Sequence, residues 1–235
     1  MTRPPTERRC VVWRKIGMTR IFKTAGWVTM TALASLIALT SLRYFVLSPE
    51  AAIDQPLARR FAEYITPLLF HAGGAAVALS LGAWGFWGAF RNRYLLLHRW
   101  LGRVYLLAVL VGGTAGFYMA LTAFGGLPTR VGFLLLALLW LATGAAAYVR
   151  IRRGEVRLHR EWMIRNYALT FSAVTLRVWL PLFLALGYDF PEAYMTVAWL
   201  CWVPNLLVAE LTIGRGRRAA HAVLDPARRR AAFEV

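Results

Sequence analysis

VGFLLLALLWLATGAAAYV, residues 131–149, runs for nineteen residues without a charged side chain. An apolar helix of about 20 residues is long enough to cross the hydrocarbon core of a bilayer. Five further apolar stretches of comparable length lie near residues 24–47, 65–90, 101–124, 164–187 and 193–213. Because backbone groups in lipid must bond within their own segment, we predict an all-α integral membrane bundle of six transmembrane helices.

The predicted helices fill most of the 235 residues, of which 59% are hydrophobic. They leave a basic N-terminal arm at residues 1–23, a membrane domain at 24–213 and a basic tail at 214–235. We therefore expect no separate soluble domain in this chain.

The positive charge is unevenly distributed along the chain, whose net charge is +17. The arm, the connections around 91–103 and 150–165, and the tail hold 23 of the 28 Lys and Arg residues. The positive-inside rule then predicts that both termini are cytoplasmic, in a bacterial inner membrane. Orientation and attraction to anionic lipid headgroups account for the basic surplus, so nucleic acid is not an expected partner.

A weak two-helix internal repeat occupies the middle of the chain. LHRWLGRVY at 97–105 recurs as LHREWMIRNY at 158–167, with one residue inserted and a period of 61 residues. Both copies open a helix that enters from the cytoplasmic side. The repeat therefore predicts that His98 and His159 lie at similar depth at the same membrane face.

Two histidines on facing helices are the axial ligands that a bundle offers to the iron of haem b. Under that hypothesis the metal ligands are His98 and His159. Arginines in the same two copies are candidate partners for the haem propionates: Arg99, Arg103, Arg160 and Arg165. The competing interpretation is an interfacial cluster of His, Arg and Trp side chains that contacts headgroups and fixes helix depth.

A second candidate site involves His71 and Arg177, which lie in the predicted second and fifth helices at comparable depth in the outer half. Burying an arginine at such depth costs at least ~2.5 kcal/mol. One interpretation is an outer polar site, where Arg177 holds an anionic group and His71 is a metal ligand or proton carrier. The other is that Arg177 bonds helix carbonyls and locks the bundle.

The motifs HRWLGRVY (98–105), HREWMIRNYALTF (159–171) and VTLR (174–177) resemble a bacterial family of multi-pass membrane proteins built on a domain of unknown function. The resemblance covers about residues 65–187 and implies a membrane protein without an assigned activity. The layout is also loosely similar to the cytochrome b561 and ferric-reductase bundles, which implies haem b and electron transfer. A second, outer haem would need another histidine at the depth of His71, and the fourth helix has none.

The sequence thus leaves three functions open and does not decide whether the protein is an enzyme. The first hypothesis is a haem-b electron-transfer protein, and the second is a small-molecule transporter or membrane-embedded binding protein. The third is an assembly or scaffold subunit whose small-residue stripes contact partner helices. The expected partners are the lipid bilayer with its anionic headgroups, and a homodimer or another membrane protein.

Overall fold

Six long helices form the protein in a computed structural model, which describes residues 24–48, 51, 57 and 62–224. Within those residues there is no β-strand, and six helices are long and apolar enough to span a membrane. We label them α1 to α6: Thr24–Val46, Ile65–Gly85, Leu95–Leu121, Gly126–Arg152, Val156–Ala185 and Phe190–Ala220. A six-residue helix, Gly88–Arg93, precedes α3. The predicted all-α membrane bundle is confirmed.

Helices α2, α3, α4 and α5 form a ring in which each contacts the next, and α5 closes the ring against α2. Helix α6 packs outside α4 and α5. Helix α1 packs outside α2 and α5, where Ala34, Leu79 and Val174 form a small buried cluster. The main core lies inside the ring and includes Tyr105, Trp140 and Tyr167.

Helices α3 to α6 are longer than the apolar stretches that predicted them. Helix α3 begins at Leu95 and α5 at Val156, six and eight residues before their predicted starts at 101 and 164. Hydropathy detects only the part of a helix in hydrocarbon, whereas the polar ends continue into the headgroup region. The two histidine motifs therefore lie on the helices themselves.

Helix α6 also extends past its predicted end at residue 213, because the helix continues beyond the membrane-spanning part, which ends at Ala220, as far as Leu224. The first half of the predicted basic tail is thus helical. The N-terminal arm at 1–23 and residues 225–235 lie outside the described residues. The cytoplasmic placement of both termini stays a prediction.

Helices α5 and α6 are each locally irregular near mid-length, at Phe171 and at Cys201, although both residues keep right-handed helical backbone angles. The amide of Asn205 joins the two places, because its Nδ2 donates to Ala168 O on α5 at 3.3 Å and to Cys201 O on α6 at 2.9 Å. A side-chain donor thus bonds backbone carbonyls where the regular helical hydrogen bonding is disturbed, as burial in lipid requires.

Glycines set the close approach of α2 and α3. A Cβ placed on Gly74 would lie 2.7 Å from both Ala108 O and Gly112 N, which are backbone atoms and have no room to yield. Small residues at such a crossing let two helices pack backbone to backbone. The structure thus places Gly74 of α2 directly against Gly112 of α3.

A buried polar network joins α3, α4 and α5 around Asn166. The hydroxyl of Tyr105 donates to Asn166 Oδ1 at 2.5 Å, and Asn166 Nδ2 donates to Trp140 O at 2.7 Å and to Thr143 Oγ1 at 2.8 Å. Trp140 Nε1 donates to Thr170 Oγ1 at 2.8 Å. Asn166 itself has no accessible surface. Both protons and the oxygen of its amide therefore find partners inside the protein.

We expect Gly74→Ala to destabilise the protein strongly, because the added methyl group would force α2 and α3 apart. The expected loss is about 2 kcal/mol or more, within the range for overpacked sites. The measurement is unfolding in detergent, followed by circular dichroism. Gly102→Ala is the matched control, since a Cβ at Gly102 meets nothing within 4 Å; equal stability of the two variants would contradict the packing argument.

The orientation predicted from charge is tested by fusing reporters to the C-terminus. Green fluorescent protein fused after Val235 should fluoresce, because it folds on the cytoplasmic side, and alkaline phosphatase at the same position should be inactive. The reverse result would place the C-terminus outside the cell and overturn the orientation predicted from the arginines.

Candidate functional site

A cavity of about 530 Å³ lies inside the helix ring, at the end of the bundle opposite the two histidine motifs. We call this end the cavity end, and the end that carries His98 and His159 the basic end. The cavity is lined by the last part of α1, the first halves of α2 and α4, and the second halves of α3 and α5. Phe190 and Tyr194 of α6 close one side.

Arg177 and His71, the two residues of the predicted outer polar site, both line this cavity. They lie on neighbouring helices of the ring, Arg177 eight residues before the end of α5 and His71 six residues after the start of α2. At the rise of an α-helix these separations correspond to about 12 Å and about 9 Å. The structure therefore brings the pair together within one cavity.

Arg177 is held at the wall of the cavity by contacts to two neutral groups. Its Nη1 donates to Ala173 O one turn earlier at 2.9 Å, and its Nη2 approaches Ser41 Oγ of α1 at 3.4 Å. No carboxylate among the described residues forms an ion pair with it. These contacts use only part of the guanidinium's hydrogen-bonding capacity.

His71 fits into a notch of α3. Its Nδ1 lies 2.9 Å from Gly112 O, and a Cβ placed on Gly116 would come within 2.7 Å of that same Nδ1. A carbonyl oxygen only accepts hydrogen bonds, so Nδ1 carries the proton and donates it. The two glycines thus position the imidazole and fix its tautomer.

The remaining cavity wall is mainly apolar and aromatic, with Phe133, Trp140 and Leu176 among its members. Tyr44 and Tyr64 add hydroxyl groups, and Arg43 adds a second cation. No described residue of the lining is an aspartate or a glutamate. A large apolar cavity with a few convergent polar groups is the usual form of a small-molecule site, and here its charge is positive.

The two histidines of the repeat lie near the starts of α3 and α5, at the basic end. Each is seven residues before a member of the Asn166 network, His98 before Tyr105 and His159 before Asn166. Because these two helices run parallel, the hydrogen bond between Tyr105 and Asn166 sets both histidines at a similar level. His159 Nδ1 lies 2.8 Å from Ala147 O, and neither His98 nor His159 lines the cavity.

The arginines proposed for haem propionates have different surroundings. Arg99, Arg103 and Arg160 are exposed, whereas Arg165 is half-buried. Arg103 lies 4.7 Å above the ring of Trp100, and Arg165 lies 4.7 Å above Trp162 in the second copy. Both copies of the repeat therefore contain the same arginine–tryptophan contact, in which a cation lies over an aromatic face.

Two ion pairs that the sequence did not predict hold α6 to α5 at the basic end. Arg165 forms a bidentate pair with Glu210, with Nε at 2.5 Å and Nη2 at 2.9 Å from its two oxygens. Arg217 forms a second bidentate pair with Glu161, whose side chain is buried. Arg165 is thus already paired within the protein, which weakens its assignment to a propionate.

Sequence reasoning also missed the contribution of α1 to the cavity. Ser41 and Tyr44 lie near the end of a helix that showed no motif, and only the fold places them beside Arg177. Among the described residues there is no cluster of three or more His, Cys, Asp or Glu side chains that could hold a metal ion. A haem with two histidine ligands is a different arrangement, and its proposal stays open.

A sequence model of one protein family, described as "Predicted membrane protein (DUF2306)", matches residues 68–213. The match includes α3, α4 and α5 entire, most of α2, and the cavity residues His71 and Arg177. No curated protein and no solved structure matches the chain significantly. The matched region covers more than half of the chain, and the protein therefore belongs to the DUF2306 family of predicted membrane proteins.

Proposed function

We propose that this protein binds a small, largely apolar organic anion in the cavity between its helices, and that Arg177 holds the anionic group. The observation that carries the proposal is the cavity itself: a guanidinium in an apolar chamber whose described lining contains no carboxylate. The protein is then a membrane-embedded binding protein, and a transporter if the bound anion leaves on the other side.

The electrostatic reason is the cost of an uncompensated charge within the membrane. Carbonyl and hydroxyl contacts to Ala173 and Ser41 offset part of that cost, but they are neutral groups. A carboxylate or phosphate on a ligand would add charge-assisted hydrogen bonds, which are about twice as strong as neutral ones. The apolar wall around Trp140 and Phe133 would bury the rest of the ligand.

The test is binding of 2-naphthoate, a flat aromatic carboxylate, to the purified protein in nanodiscs, measured by the ligand's fluorescence. We expect saturable binding that weakens about tenfold or more in Arg177→Gln, because the charge-assisted contact is lost. Arg177→Lys, which keeps the charge, should retain part of the affinity.

Arg130→Gln is the matched control. Arg130 lies toward the same end of the bundle and bonds a carbonyl, Ala123 O, at 3.3 Å, yet it does not line the cavity. Its loss should leave naphthoate binding unchanged. The proposal is wrong if Arg177→Gln binds naphthoate as the unaltered protein does, or if the unaltered protein shows no saturable binding. Uptake by proteoliposomes then separates transport from binding alone.

A haem-b electron-transfer function is the second candidate, and one observation supports it. The Nδ1 of His159 donates to Ala147 O, which would leave Nε2 to bind the iron, because metal-bound histidines commonly donate their other ring N–H to a carbonyl. His98 lies at a similar level on α3. Haem b held by these two side chains would supply one-electron chemistry at the basic end. Arg99, Arg103 and Arg160 lie on the same helices and would pair with its propionates.

The haem hypothesis predicts a b-type band in the dithionite-reduced minus oxidised absorption spectrum of the purified protein. Either His98→Ala or His159→Ala should abolish that band, because each removes one axial ligand. His71→Ala is the control, since His71 lies in the cavity and not at the basic end. A featureless spectrum of the unaltered protein excludes this candidate and leaves the anion site in place.

A further inference from the structure

His71 lines the same cavity as Arg177. Whereas Arg177 supplies hydrogen-bond donors, His71 supplies an acceptor. Its Nδ1 donates to Gly112 O, so the ring's second nitrogen, Nε2, has no proton when the imidazole is neutral. The neutral form is the one to expect here, because a further cation in an apolar chamber that already contains Arg177 and Arg43 would add to the burial cost. Nε2 is then a hydrogen-bond acceptor.

The neighbours of the imidazole occupy Nδ1 and leave Nε2 without a partner. The edge with Nδ1 and Cε1 lies against Gly116 of α3, and the rings of Trp140 and His71 are nearly perpendicular, with centroids 6.5 Å apart. Trp140 directs its own Nε1 to Thr170, so the indole does not donate to His71. No hydrogen bond from any described residue reaches Nε2.

From these contacts we infer that the ligand of the cavity is a hydroxylated apolar acid: Arg177 binds its anionic group, and His71 Nε2 accepts a hydrogen bond from its hydroxyl group. This inference rests on the proposed function and narrows it from organic anions to hydroxy acids. His71 is a specificity-determining residue, because a buried acceptor favours a ligand with a donor over one without.

The energetic argument is the asymmetry of buried hydrogen bonds. A hydroxyl that meets Nε2 gains a hydrogen bond, whereas a hydroxyl that is buried against an apolar wall loses its bonds to water without replacement. The same hydroxyl therefore strengthens binding when His71 is present and weakens it when His71 is absent. The direction of the hydroxyl group's effect on affinity, and not only its size, therefore tests whether His71 is the acceptor.

The experiment compares 2-naphthoate with its 3-hydroxy and 6-hydroxy derivatives, so that two separations between carboxylate and hydroxyl are sampled. We expect at least one hydroxy derivative to bind the unaltered protein roughly tenfold more tightly than 2-naphthoate, the ratio of one well-placed hydrogen bond. In His71→Phe, which keeps a flat ring but removes the acceptor, that preference should disappear or reverse.

The outcomes separate this inference from the proposed function. If 2-naphthoate binds through Arg177 but neither hydroxy derivative binds more tightly, the anion site stands and the role of His71 is overturned. If a preference for the hydroxyl persists in His71→Phe, another group is the acceptor and the inference is also overturned. The first comparison uses only the unaltered protein, so it does not depend on the folding of the variant.

Discussion

The amide of Asn166 fixes the arrangement on which both candidate sites depend. It contacts Tyr105 of α3 and both Trp140 and Thr143 of α4 from its position on α5. In a lipid environment no water replaces a lost partner, so a buried amide is satisfied only when the three helices keep one rotation and one register. A single interhelical hydrogen bond of this kind contributes modestly to stability, about 0.6 kcal/mol on average. The main role of these bonds here is to specify how the helices pack.

This network also divides the interior of the bundle. Trp140 and Thr170 belong to it and line the cavity as well. The network therefore bounds the cavity on the side toward the basic end. On its other side, two helical turns away, His98 and His159 lie at the basic end. The two ends therefore have different chemistry: one is an apolar chamber with two arginines, and the other is a layer of histidines, arginines and tryptophans, with bidentate ion pairs between α5 and α6. The family match assigns no activity to either end.

Much of the bundle was predictable because hydrophobicity in a membrane protein is a local property. The six spans follow from runs of apolar residues. The helix ends were misjudged where polar residues continue the helix toward the headgroups, and also at α2, which ends at Gly85 although the apolar stretch runs to residue 90. The pairing of His71 with Arg177 was also predicted, since depth along a helix can be counted from its ends. The contributions of Ser41 and Tyr44 were not, because α1 touches the ring through contacts that no periodicity reveals. The ion pair of Arg217 with Glu161 was missed because α6 was taken to end at residue 213, whereas it continues past that point. The ion pair of Arg165 with Glu210 was missed because it depends on how α5 and α6 pack against each other.

The sequence by itself determined that the chain crosses a membrane as six helices. A backbone in lipid must satisfy its own hydrogen bonds, and the length of each apolar stretch can be counted directly from the sequence. It also predicted that His71 and Arg177 lie at comparable distances from the ends of their helices. Only the tertiary structure decided which side chains share a chamber. That depends on helix rotation, and rotation is set by contacts distant in the chain: Gly74 against Gly112, Asn166 with Tyr105, and the notch at Gly116 that holds His71. Each contact is short-ranged and needs both partners, so neither segment alone specifies it.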